Sequence, residues 1–401
     1  MGEEDDAVPM CSLMSLTPTE QSLLVGSAAV EQTPGQREAW MHAASVADWA
    51  PTFNAALDNG TLALVCWHLQ ALPEDALAPE LREAAQTFLN QQRKMVEAGL
   101  AQWRDVLGAL EREGIQVIPY KGPVSASAYG DQPWLRSFRD LDVLVREPDF
   151  DGAIDCLEAM GYQSDGVSID GWQRKAIRRR ARQETLYSSG LAVEPHCGFA
   201  QRSLGLELKV DDVFARARAG QMHGRDVLVM APEDTFLVLA LHGGKERWQR
   251  LIWVVDVAEH LKGHPGFDWD FALHRARACG LERCALLSLL LVHDLLGAPV
   301  PAHYILQARG NRVCVGLAAQ VEAALATAGS SAGWAEVKRF QSRLLERPRD
   351  WCRAFFESVV DIRQEDYAAL SLPRPFAVGF VGVKAARRGA QILAAWRGRE
   401  S

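Results

Sequence analysis

The chain has 401 residues, 48% hydrophobic and 23% charged, which is the composition of an ordinary globular protein and enough length for two or three domains. Its 51 acidic and 43 basic side chains leave a net charge of −8, excluding a generic nucleic-acid coat, which needs excess cations to displace counterions from phosphates. Eight scattered cysteines without a CxxC pair fit reduced thiols rather than a disulfide framework or a zinc cage. The acidic start, Met1-Gly2-Glu3-Glu4-Asp5-Asp6, is unlike a signal peptide, and no apolar run reaches a membrane span, so a cytoplasmic location is expected.

From about Pro18 to Glu113 leucine, alanine and tryptophan recur at three- and four-residue spacing, with breaks at Pro34-Gly35, Asn59-Gly60 and Pro73. The last of these helices is long and amphipathic, from about Pro79 until Gly114 stops it. A β-rich run, Ile115 to Tyr120, then leads through Lys121-Gly122 into a short helix from Pro123 to Tyr129. Next come a loop through Gly130 and Arg136, a strand from Asp140 to Val145 and a helix from Pro148 to Met160. A basic helix spans about Trp172 to Arg182; Glu184 to Ser188 and Leu191 to His196 read as strands, and His223 to Met230 as a further strand or hairpin. Helices return from Pro232 onward. The expected fold class is therefore α+β: a small mixed β-sheet domain at 114–231 between an N-terminal helical domain, 1–113, and a C-terminal one, 232–401.

Asp140 and Asp142 lie one residue apart at the head of an apolar strand, and strand side chains alternate, so both point to one face. Two such carboxylates repel, and a buried one without a partner is costly. A divalent cation relieves both problems, and Mg²⁺ leaves coordination positions for substrate phosphate. Phosphoryl or nucleotidyl transfer is the chemistry this pair points to.

The segments Tyr120-Lys121-Gly122, Tyr129 to Ser137 and Asp140 to Val145 together resemble the uncharacterised bacterial nucleotidyltransferase family of the DNA polymerase β superfamily. Val193-Glu194-Pro195-His196, Leu239 to His242, Trp253 to Asp256, and Glu365-Asp366-Tyr367 with Leu372-Pro373 extend the likeness to about 115–375. The resemblance implies a nucleotidyltransferase with three catalytic, metal-binding carboxylates, Asp140, Asp142 and Glu194. It also implies Mg²⁺ (or Mn²⁺) as cofactor, an NTP substrate, and an acceptor hydroxyl on a small molecule, peptide or RNA. Lys121, Gly122, Ser125, Arg136, Ser137 and His196 are the expected nucleotide-binding residues.

The chain departs from the wider superfamily at Pro123, which lacks the N–H of a phosphate donor, a loss that Lys121 and Ser125 are placed to offset. It departs again at Pro195, which confines its strand to an edge or a bulge. Arg136 and Ser137 are placed to bracket a phosphate or to pair with Asp140, and Arg139 to act as the counter-charge of Asp140. His242, Lys245 and Asp256 are candidates for base, ribose or phosphate contact against a reading as helix packing. The six cations of Arg174 to Arg182 read as a solvated helix face or as an electropositive flap. A degenerate, non-catalytic binding module and a nucleotide-sugar-dependent transferase are the alternatives.

Overall fold

The structure is a computed structural model that describes residues 16–164, 171–326, 333–362, 366–367 and 379–387. Glu365, Leu372 and Pro373 of the C-terminal likeness lie outside the described residues, as does Cys11.

Five helices open the chain: α1 (Pro18–Gly26), α2 (Pro34–Val46), α3 (Trp49–Asp58), α4 (Leu62–Gln70) and α5 (Pro79–Arg112). Thr17 and Thr33 begin the first two with capping boxes, each closing two orphan N–H groups against Glu20 or Gln36. After α5 come β1 (Ile118–Pro119), α6 (Gly122–Ser127), β2 (Asp140–Leu144), α7 (Phe150–Ala159), β3 (Gln163–Ser164), α8 (Gly171–Ala181), β4 (Leu186–Tyr187) and β5 (Ala192–His196). These strands form one mixed sheet in the order β1-β2-β5-β4-β3, with β2 and β5 parallel. The α+β class stands.

Alternation along β2 divides its two faces. Leu141 and Val143, with Val145 just beyond the strand, join Val193 of β5 and pack on Trp103, Val106, Leu107 and Leu110 of α5 and on Phe150, Ala153, Ile154 and Leu157 of α7. The opposite face carries Asp140, Asp142, Glu194 and His196. The polar face is thus fixed by the apolar one, because a one-residue slip would put the carboxylates in the core.

Three expectations are corrected here. First, β1 shrinks to two residues; Pro119 is tolerated because β1 is an edge strand bonded only to β2. Second, β5 lies inside the sheet although it contains Pro195. The N and O of one strand residue point the same way, and the Pro195 carbonyl accepts from Glu184, so the missing N–H faces β4. On that side the ladder ends at Leu186–Val193 and resumes only as a Gln183–His196 bridge. Third, β3 is a strand the sequence did not signal.

Beyond α9 (Val210–Arg216), a hairpin of β6 (Arg218–Met222) and β7 (Arg225–Val229) turns at His223-Gly224, both with positive φ, the backbone that a two-residue hairpin requires. The chain continues through α10 (Pro232–Lys245), α11 (Leu251–Lys262), α12 (Trp269–Cys279), α13 (Glu282–Leu296), α14 (Ala302–Gly310), α15 (Arg312–Leu325), α16 (Trp334–Leu344) and α17 (Pro348–Val360). One core unites α1–α4 with α10–α15, so both helical ends clamp the polar side of the sheet. No helix among the described residues is long and apolar enough to cross a membrane.

The basic helix α8 spends its charge internally. Asp151 collects Arg178 at 2.5 Å and Lys175 and Arg179 at 3.5 Å, while Arg180 meets Glu357 at 3.0 Å and Arg182 meets Glu207 at 3.3 Å.

On α11, His260 is buried and bonds through Nε2 to the Pro232 carbonyl at 2.8 Å. Burial, then the neighbouring His264, lower its pKa from 6.5 to about 4. The unfolded chain therefore binds more protons than the fold as pH falls below 6.5, and stability declines until about pH 4. The full loss is roughly 3 kcal/mol. Urea unfolding at pH 7 and pH 4 should show this drop, and a smaller one in His260→Gln.

Candidate active site

Parallel pairing of β2 and β5 sets Asp142 directly opposite Glu194, and the next same-face position of β5 holds His196. One ligand atom from each of these three lies within 4.8 Å of the others. His196 Nε2 is 2.7 Å from Asp142 Oδ1 and 3.4 Å from Glu194 Oε2, yet it meets neither with the direction of a hydrogen bond. Asp142 and His196 are each only 2% exposed. A buried imidazole nitrogen between two carboxylates, with no directed partner, fits a divalent cation.

The sequence placed the metal on Asp140, Asp142 and Glu194; the compact cluster contains His196 and leaves Asp140 beside it, opposite Ala192. Asp140 is still in the same field. Burial, then Asp142 and Glu194, push its carboxyl from 3.8 up to about 6. Asp142 is the opposite case. Burial works against its charge, but Lys121 and His196 outweigh it and hold the carboxyl well below the usual range. Glu194 also ends below its ordinary value, with His196 and Thr185 overcoming burial.

Lys121 reaches the cluster from the turn after β1, where its Nζ donates to Asp142 Oδ1 at 3.0 Å. The turn is strained: Lys121 has φ 52° and Gly122 φ 21°. A Cβ on Gly122 would sit 3.1 Å from the Asp140 carbonyl oxygen. Glycine is needed here so that α6 can lie against the head of β2.

Lys121, Gly122, Ser137, Arg139, Asp140, Asp142, His242, Arg250 and Trp253 line a cavity of about 370 Å³ whose far wall comes from α3, α4 and α5. Arg139 lines the cavity with Asp140, and Lys121 draws the Asp140 carboxyl back toward its charged form against burial and the repulsion of Asp142 and Glu194. Arg139 and Arg136 act on Arg250 and, after burial, lower its proton affinity, so the cavity wall is strongly cationic. His242 stacks edge-on with Trp253 at 5.1 Å, and its buried Nδ1 lacks a partner among the described residues. Burial, then Lys121 and Lys245, hold its pKa well down, so the ring stays neutral.

Arg136 pairs with neither Asp140 nor open space. Its Nε and Nη2 donate to the two oxygens of Asp256 on α11, both at 2.7 Å, and Nη1 donates to the Ser137 carbonyl. Ser125 lines a different cavity, on the far side of Lys121.

Sequence reasoning missed Thr185 and Gln183, which fix Glu194. Thr185 donates to Oε1 at 2.7 Å and Gln183 approaches Oε2 at 3.5 Å. It also missed Arg250 as a cavity residue. The pairing of β4 with β5 would have exposed the first two, but strand pairing between distant segments is not written in local pattern.

A comparison with curated proteins finds none similar to this chain. The model of a family described as uncharacterised nucleotidyltransferase matches residues 45–297, a stretch holding the sheet, the cluster, Lys121 and the helices that wall the cavity. With well over half its length so matched, the chain belongs to that nucleotidyltransferase family and is a transferase.

Proposed function

We propose that the enzyme moves a nucleoside monophosphate from an NTP to an acceptor hydroxyl and releases pyrophosphate, using Mg²⁺ or Mn²⁺ held by Asp142, Glu194 and His196 with Asp140 alongside. The observation that carries this is the in-register carboxylate–imidazole cluster beside a cationic cavity, which Asp142 of the cluster and the neighbouring Asp140 line. The catalytic unit in this reading is 114–231, walled by the helices of 1–113 and 232–401.

Bound there, a divalent cation supplies Lewis-acid stabilisation of phosphate oxygens. The chain supplies the rest. Lys121, Arg139 and Arg250 offer charge to the polyphosphate; Gly122 and Ser137 shape the wall, and Trp253 offers a ring to the base. Ser125, facing the other cavity, is outside this grip, and Arg136 contributes by holding the Ser137–Arg139 wall in place. In the transfer the acceptor oxygen bonds to the α-phosphorus while the bond to the bridging oxygen breaks. Pyrophosphate leaves with that electron pair, and the acceptor proton passes to a carboxylate of the cluster.

Incubating the protein with Mn²⁺, a lysate of its host as the source of acceptor, and either α- or γ-labelled ATP, GTP, CTP or UTP tests this. The α-label should appear in a new product and the γ-label in pyrophosphate. Release of inorganic phosphate alone, or no turnover with any of the four, overturns the reading.

The donor set makes a second, activity-free prediction. Imidazole favours transition ions over Mg²⁺. Calorimetry without nucleotide should find Mn²⁺ bound about tenfold or more tighter than Mg²⁺, and His196→Asp, an all-oxygen set, should narrow that gap.

A further inference from the structure

The ammonium of Lys121 and the imidazole of His196 converge on one atom. Lys121 Nζ donates to Asp142 Oδ1 at 3.0 Å, and His196 Nε2 lies 2.7 Å from the same oxygen. A cation gripped by Asp142 and His196 would share that oxygen with the lysine. The Asp142 side chain is 2% exposed and that of Lys121 15%, so little water screens two positive charges set side by side. An entering cation therefore has to displace the ammonium.

Other cations of the region are engaged elsewhere. Arg136 is forked onto Asp256, and Lys245 Nζ sits 3.5 Å from Glu246. The Lys121 backbone is fixed in its turn at φ 52°, with Gly122 close against the Asp140 carbonyl, so movement falls to the flexible four-carbon stem. Lys121 also lines the cationic cavity with Arg139 and Arg250. A charge turned away from its carboxylate in a half-closed site needs a new anion, and a polyphosphate in that cavity supplies one.

We infer that Lys121 is exchanged between Asp142 and the nucleotide: it is the counter-charge of Asp142 before the cation arrives, yields the carboxylate to the cation, and then grips the polyphosphate. Cation and nucleotide thereby favour each other's binding through one side chain, beyond their own chelation, and the coupling is reciprocal. The inference rests on the nucleotidyl-transfer reading and says how that site is loaded.

Calorimetry on the full-length protein tests each half. With Mn²⁺ and no nucleotide, Lys121→Met should bind the ion about tenfold or more tighter than the unaltered protein. Lys121→Gln, which keeps a neutral donor near Asp142, should show the same gain, and it carries the test if methionine leaves Asp142 too bare to fold. Arg139→Met removes a cation from the same cavity, one that no ion pair joins to Asp142 among the described residues, and should gain far less. With ATP in EDTA, Asp142→Asn releases Lys121 and should bind ATP severalfold tighter. Asp140→Asn takes a charge from the same wall and should gain less, while Lys121→Met combined with Asp142→Asn should lose the gain. A Lys121→Met protein that binds Mn²⁺ no tighter than Arg139→Met does, or an Asp142→Asn gain that survives in the double variant, overturns the inference whatever the labelled-nucleotide assay shows. Expected Mn²⁺ binding in a protein that takes up no ATP, with or without the ion, instead sinks the NTP reading and with it the nucleotide half of the exchange.

Discussion

Asp142→Asn should lower nucleotidyl transfer by at least about a thousandfold while the protein stays folded. The side chain keeps its shape, so packing on β2 is preserved; only the charge goes. That charge meets Lys121 Nζ at 3.0 Å and lies 2.7 Å from His196 Nε2, so its loss strips the proposed cation site of its central ligand and frees Lys121 at once. Thermal stability should fall, because Lys121 and His196 more than offset the cost of burying this carboxylate, although Lys121, 15% exposed, can turn to solvent and the protein remains folded. Circular dichroism, melting and the labelled-nucleotide assay on one preparation check both halves. A variant that keeps turnover within tenfold removes Asp142 from the chemistry.

Asp140→Asn offers the contrasting case. Asp140 bears the repulsion of Asp142 and Glu194, so neutralising it should leave the fold as stable or slightly more so. Mn²⁺ affinity measured by calorimetry should fall far less than in Asp142→Asn, because Asp140 stands beside the three-ligand group and not within it.

Much of this site was legible before any coordinates. Alternation alone put Asp140 and Asp142 on one face, and the long stripe of α5 and its stop at Gly114 followed from spacing and one glycine. What escaped reading was set by contacts between distant residues. The opposition of Asp142 to Glu194 depends on which strands pair, and 52 positions separate them in sequence. Arg250 joins Arg139 in one wall because α11 folds back over the sheet. The hairpin was half seen, since Val227 to Val229 has β-forming residues whereas Arg218 to Met222 has none, and pairing with β7 makes it a strand. Pro195 misled for a related reason: the rule against proline in a central strand holds only where the neighbour expects an N–H, and β4 leaves that place open.

The pairing of Arg136 with Asp256 carries the largest stability prediction. Asp256→Asn, or Arg136→Met, should cost about 3–5 kcal/mol, because each strands one charge in the interior. Both groups are buried, and the fork is bidentate at 2.7 Å, the arrangement in which geometry and charge reinforce each other. Burial opposes the Arg136 charge, and Asp256 more than offsets it, holding the guanidinium firmly protonated. The double variant Arg136→Met with Asp256→Leu should recover most of the loss, giving a coupling energy of roughly 2 kcal/mol or more in a double-mutant cycle. The same cycle separates two roles for Arg136. As a strut between the Ser137–Arg139 wall and α11, it should give single variants with matching rises in KM for NTP. As a phosphate ligand it would give Arg136→Met a far larger rise than Asp256→Asn, with additive stability losses, and that pattern would return Arg136 to the nucleotide.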